Sequence, residues 1–168
     1  MKTIAIVLHP GFQVLSLAAS SVFETVNMHL GSVQYRVTLV SEHGGPVPSS
    51  QGFSVDSTKL GRRTFDTLIV AGDNTGAGAS DGLLRALQAA SKRVRRCAAM
   101  CTGAFILAQA GLLEGRRVTT HWHFARRLQR EYPALQVDED RIYVADGPIW
   151  TSAGLSLIHI SEPTRPLY

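Results

Sequence analysis

The chain has 168 residues, 45% of them hydrophobic and 18% charged, which suits one globular domain with a sizeable core. Two cysteines are too few for a disulfide framework and point to a reducing, cytoplasmic setting, while the apolar run in MKTIAIVLHPG is too short for a signal-peptide core or a membrane span. The formal charge of +4 comes from scattered arginine pairs rather than one basic run, so it reads as a solvated surface and not as a nucleic-acid footprint.

In chain order, Thr3–Leu8 (TIAIVL) is a β-branched run that reads as a buried strand, and His9-Pro10-Gly11 turns the chain. Val14, Leu17, Ala18, Ser21, Val22, Thr25 and Met28 recur near helical spacing, which predicts an amphipathic helix over Gln13–Leu30 stopped by Gly31. Tyr35–Val40 alternates as a strand, Gly44-Gly45-Pro46 reads as a loop, and Phe53–Val55 reads as a short strand. LIVAG after Asp66-Thr67 is a third buried strand ending in glycine; Asp73–Ser80 after it is glycine-rich, and its Asp73–Gly78 part is placed to act as a lid or a plain connection. Ser80-Asp81 caps a helix to Ser91, and Val94–Met100 is the next strand. A helix follows Cys101, another spans Trp122–Glu131, and late strands at Ile142–Ala145 and Ile149–Thr151 flank an Asp146-Gly147-Pro148 turn.

Alternating strands and helices predict an α/β fold, a mostly parallel sheet with helices on both faces. Ligands in such sheets bind beyond the carboxyl ends of the strands. His9, Gly72 and Cys101 each fall just past a predicted strand end and should converge on one rim.

Ala99-Met100-Cys101-Thr102-Gly103 occupies a strand-to-helix junction. Such an elbow presents a side chain on a sharp turn, with the following N–H groups available to a carbonyl oxygen or an anion. The helix dipole there favours a thiolate. Spacing alone leaves Cys101 divided between a working nucleophile and a buried small hydrophobe. Cys97, inside the strand, reads as core. His121, after Thr119-Thr120, is placed to serve Cys101 as base or hydrogen-bond partner, and His123 reads as a surface or cap residue. No His, Cys and carboxylate set has metal-ligand spacing, so neither metal nor cofactor is expected.

CTGAFILAQAGLLEGRRVTTHW, the early HPGFQVLSLAASSVFETVN and the late DGPIWTSAG together resemble the ThiJ/PfpI domain, a class I glutamine amidotransferase-like fold. More narrowly, they are similar to its version at the N-terminus of GlxA-like, AraC-type transcriptional regulators. The resemblance covers about residues 3–154. It implies a flavodoxin-like three-layer sandwich whose last helix would follow TSAG, then a linker and two helix-turn-helix units that bind DNA. It also implies a Cys101 elbow, His121 nearby, and a carboxylate from the first helix region touching the sulfur. By alignment that acid falls at Ser16. A serine hydroxyl can hydrogen-bond to sulfur but cannot shuttle a proton near neutral pH. Position 123, where an amidotransferase triad would carry an acid, is His123. Asp73, Glu24 and Asp146 remain as substitutes.

Two functions follow as expectations, beside a plainer reading as a dimerisation scaffold with a vestigial pocket. In the first, the domain senses a small polar or anionic metabolite through Cys101, Thr102, Gly103, Gly72, Asp73, His121 and Ser16, pairs as a homodimer, and meets DNA only through a missing C-terminal domain. In the second, it is a cysteine-dependent hydrolase, amidase or hydratase with Cys101 and His121 as catalytic residues.

Beyond Gly154 the character changes. Leu155–Arg165 (LSLIHISEPTR) resembles the in-frame translation of a transposase adapter used in preparing sequencing libraries. That resemblance makes 1–154 the domain, lacking its final helix, and 155–168 a foreign tail whose His159 and Glu162 belong to no site.

Overall fold

The structure, a computed structural model, describes residues 1–154; the expected foreign tail lies outside the described residues. The strands are β1 (Lys2–Val7), β2 (Tyr35–Ser41), β3 (Gly45–Pro48), β4 (Ser54–Lys59), β5 (Thr67–Val70), β6 (Arg96–Met100), β7 (Arg117–Val118), β8 (Gln136–Val137), β9 (Tyr143–Asp146) and β10 (Ile149–Ser152). The α-helices are α1 (Ala18–His29), α2 (Asp81–Ser91), α3 (Gly103–Gln109) and α4 (Trp122–Glu131), and a 3₁₀ turn at Val14–Leu17 precedes α1. Eight strands form one sheet in the order β3-β4-β2-β1-β5-β6-β10-β9. The six inner strands run parallel, and β3 and β9 are antiparallel edges. β7 and β8 make a separate parallel pair. With helices on both faces, this is the expected three-layer α/β sandwich.

The alternation in β1 distributes the layers. Ala5 and Val7 join the larger core with Leu83, Leu87, Phe105 and Leu107 of α2 and α3, while Ile6 and Leu8 join a smaller core with Phe12, Val47 and Ala71. Residues at period 2 along one central strand thus feed both faces, which is why TIAIVL reads as continuously apolar.

Two segments differ from their sequence reading. Gly45-Pro46 is not loop but the start of edge strand β3, where proline is tolerated because its missing N–H faces no partner strand. The helix expected over Gln13–Leu30 is a 3₁₀ turn followed by α1. A turn of three residues breaks phase with the 3.6-residue period that follows. Within α1 the side turned to the sheet carries Ala19, which packs against the smaller core, and the half-buried Phe23 and Val26; no α1 residue is fully buried, and Val22 and Met28 are 58% and 77% exposed. α1 is fastened to β2 through Phe23, whose ring centroid lies 5.2 Å from that of Tyr35, and through Asn27. Asn27 Nδ2 donates to the Tyr35 carbonyl at 2.7 Å, and its Oδ1 accepts the Gln34 and Tyr35 N–H groups at 2.8 and 2.9 Å. Among the described residues no helix is long and apolar enough to cross a membrane.

Candidate functional site

β1, β5 and β6 are parallel neighbours, so the residues that follow them meet at one end of the sheet. His9, Gly72 and Cys101 lie there, as their positions after strand ends require. Cys101 has φ +52°, in the left-handed region that non-glycine residues avoid. The surrounding backbone holds it there. Its N–H donates to the Ser152 carbonyl at 2.9 Å, and its carbonyl accepts the Thr120 hydroxyl at 2.7 Å. β10 and the Thr119-Thr120 segment thus clamp the elbow from the side opposite β5.

The glycines of the elbow are dictated by contact. A Cβ on Gly103 would stand 2.6 Å from the Val70 carbonyl oxygen, and one on Gly72 would stand 2.9 Å from the Met100 oxygen and 3.1 Å from Cys101 Cβ. The loop after β5 and the elbow after β6 therefore pack backbone to backbone. Thr102 locks them: its hydroxyl bonds both the N–H and the carbonyl of Asp73.

Ser16, on the 3₁₀ turn, is buried and accepts the Gly72 N–H at 3.2 Å; Gln13 N–H donates to the Gly72 carbonyl at 2.8 Å. Ser16 and Cys101 line one narrow cleft with Gln13, Leu15, Met100 and Ser152. Its volume is about 30 Å³, room for about one or two waters. None of the described residues lining it is Asp or Glu.

None of the three substitute acids lines this cleft. Asp73 is buried, and its Oδ1 accepts the N–H groups of Thr75 and Gly76 at 2.8 and 2.5 Å. Asp146 accepts the Arg117 N–H at 2.9 Å. It pairs with Ile149 at the start of β10, whereas Cys101 binds Ser152 at its end, roughly 10 Å along the strand at ~3.3 Å per residue. Glu24 is exposed on α1.

His121 caps α4: its Nδ1 accepts the His123 N–H at 3.3 Å. His121 directly follows Thr120, the residue bound to the Cys101 carbonyl, so the imidazole is carried on the segment that clamps the elbow. His123 is exposed and serves the cap through its backbone. Cys97 is 3% exposed in β6, and burial pushes its thiol up to about 12. Among the described residues no three His, Cys, Asp or Glu side chains cluster as metal ligands would.

The glycine-rich Asp73–Gly78 loop is clasped. Arg127 of α4 donates to the Thr75 and Gly76 carbonyls at 2.6 and 2.7 Å, with its guanidinium carbon 4.7 Å from the Phe105 ring centroid. Gln109 Oε1 accepts the Ala79 N–H at 3.0 Å. Arg127, Thr120 and Ser152 were not legible as site residues, because each acts through long-range bonds to backbone that carry no sequence signature. A second, larger cavity of about 440 Å³ opens beside His9 at the ends of β1 and β2; it too has no motif.

A sequence profile of the DJ-1/PfpI family matches residues 2–159. The chain belongs to the DJ-1/PfpI family. The match runs past Gly154 to residue 159, and comparison with known proteins gives no support to the adapter origin expected for Leu155–Arg165. Among DJ-1/PfpI relatives, the chain is 38% identical over 136 residues to "Uncharacterized protein in cpoL 5'region" of Streptomyces lividans, covering 78% of this chain and 95% of that protein. It is 34% identical to the HTH-type transcriptional regulator CdhR of Pseudomonas aeruginosa, over 86% of this chain and 44% of CdhR. It is 32% identical to isonitrile hydratase of Pseudomonas putida, over 72% of this chain and 54% of that enzyme. The chain therefore spans about half the length of these two functionally named relatives. The crystal structure of an AraC family transcriptional regulator from Pseudomonas putida shares the DJ-1/PfpI fold, with a TM-score of 0.73 at 19% identity, over 92% of this chain and 84% of that one.

Proposed function

We propose that this domain is the ligand-sensing part of a bacterial AraC-type, GlxA-like transcriptional regulator. It takes a small polar or anionic metabolite, pairs with a second copy, and reaches DNA through a separate helix-turn-helix domain. The observation that carries this reading is Ser16. Its hydroxyl stands in the cleft with Cys101, where the family's acid would be, and it is tied to the Gly72 N–H. A hydroxyl cannot relay protons near neutral pH, and a site without acid–base assistance forgoes about 10²–10⁴-fold in rate. The 34% identity to CdhR, which this chain matches over less than half of that regulator's length, supports the same reading.

An effector at Cys101 would bind the first N–H groups of the Thr102-Gly103 turn, with Gly72, Asp73 and His121 around it. The cleft of about 30 Å³ is too small for a metabolite, so occupancy requires the turn carrying Gln13 and Ser16 to move off Gly72. Binding is thereby coupled to displacement of a segment continuous with α1, which is what a sensor needs.

The second reading, a cysteine-dependent hydrolase, amidase or hydratase, is favoured by one feature: the left-handed backbone of Cys101, a strain of the kind held at working nucleophiles. One experiment separates the two. The full chain is challenged with L-amino acids and small carboxylates at millimolar concentration while its Tm is followed, for wild type and Cys101→Ser. Stabilisation that survives the substitution supports sensing. Turnover of an amide or an isonitrile that Cys101→Ser abolishes would overturn it.

A further inference from the structure

The cavity of about 440 Å³ is within the size range of small-molecule sites. It lies beyond the carboxyl ends of β1 and β2, against the start of α2, and Cys101 does not line it. Pro46, Val47, Pro48 and Leu83 supply apolar wall, and His9, Ser41, Glu42, His43 and Ser80 supply the polar groups; the Ser80 hydroxyl is used on Glu42, and the Ser41 hydroxyl on Ser57 and the Gly44 N–H.

His9 is 4% exposed. Its Nε2 is 3.1 Å from the Ala71 carbonyl oxygen, an acceptor only, so Nε2 carries the proton. Nδ1 is then a bare acceptor, and among the described residues no N–H or O–H donates to it. A buried acceptor without a donor is costly, and His9 is one of the residues that line the cavity. Glu42 completes the polar side: its carboxylate accepts the Ser80 hydroxyl and lies 3.4 Å from His43 Nε2, with lone pairs to spare.

We propose that this cavity is a binding site, distinct from the Cys101 cleft, for a primary or secondary ammonium group on a compact apolar body. The Glu42 carboxylate, the one acidic side chain in the lining, and the His9 acceptor call for a cation that carries N–H bonds, and the proline-rich wall calls for hydrocarbon. A carboxylate ligand would meet Glu42 as a like charge. A quaternary ammonium would meet the charge but could donate nothing to His9.

Benzylammonium is a suitable probe. At about ten times its Kd it should raise the Tm of the full chain by roughly 3–6 °C, and it should do so equally in Cys101→Ser, which separates this site from the one at the elbow. Glu42→Gln keeps the bond to Ser80 and should weaken the affinity roughly tenfold or more, the loss of one charge-assisted bond. The nitrogen resonance of His9 Nδ1 should move on titration. Benzyltrimethylammonium, equally charged but without N–H, should stabilise little. Equal stabilisation by benzyltrimethylammonium or by benzyl alcohol, an unchanged affinity in Glu42→Gln, or no shift with benzylammonium would overturn the proposal.

Discussion

The Thr102 hydroxyl donates to the Asp73 carbonyl at 2.8 Å and accepts the Asp73 N–H at 2.7 Å, so one side chain closes both backbone groups of the residue that leads the glycine-rich loop. Thr102 is 1% exposed and Asp73 8%, and water cannot take over either bond. Thr102→Val preserves volume but strands a donor and an acceptor. The variant should lose about 2–6 kcal/mol, two unsatisfied groups at ~1–3 kcal/mol each, while Thr102→Ser should retain most of the stability. Urea denaturation of the three proteins checks the order.

Gly103 tolerates no side chain, for reasons of contact alone. A methyl group there would stand 2.6 Å from the Val70 oxygen and 3.1 Å from the Ala71 oxygen, both backbone. Gly103→Ala must therefore push α3 away from β5, and about 1–3 kcal/mol is the usual cost of overpacking. The expected result is a lower Tm together with a changed environment at Cys101. A Gly103→Ala chain with wild-type stability would show that the elbow is not close-packed.

Burial pushes the Cys97 thiol up to about 12, from 9.0 in the unfolded chain. The native protein favours the neutral thiol, so this group's contribution is complete below pH 9 and is lost as pH rises from about 9 toward 12. The stability difference between wild type and Cys97→Ala should shrink across that window. At pH 8 only roughly one thiol in ten thousand is ionised, so iodoacetamide should leave Cys97 unmodified in the native chain and label it after denaturation, as read by peptide mapping.

Arg127 ties α4 to the glycine-rich loop through the Thr75 and Gly76 carbonyls. Arg127→Met keeps an unbranched side chain but removes both donors and the guanidinium over Phe105. Amide exchange at Thr75 and Gly76, whose N–H groups bind Asp73 Oδ1, should accelerate about tenfold, the effect of losing ~1.4 kcal/mol of local protection. Exchange in β5 and β6 should not change.

Most of the sheet was open to reading because apolar runs such as TIAIVL and TLIV have no polar alternative, and a segment buried on both faces must lie centrally. The α1 region was harder. Val22 and Met28 have helical spacing, yet they face outward, because the side of α1 turned to the sheet is that of Ala19, Phe23 and Asn27, held by the Asn27 bonds to Gln34 and Tyr35. Edge strand β3 was hidden behind Gly45-Pro46, a pair that reads as a turn unless the partner strand is known.

The amino-acid sequence alone determined the α/β alternation and the strand ends at His9, Gly72 and Cys101, which follow from local pattern; that Ser16 stands where an acid would be expected is what the family resemblance implies. Tertiary structure alone decided the left-handed backbone of Cys101, the clamp by Thr120 and Ser152, the use of Asp73 within its own loop, and the cavity that borders His9. These depend on which backbone groups of distant segments meet, and a carbonyl or an N–H is the same in every residue but proline, so no side-chain pattern announces the meeting.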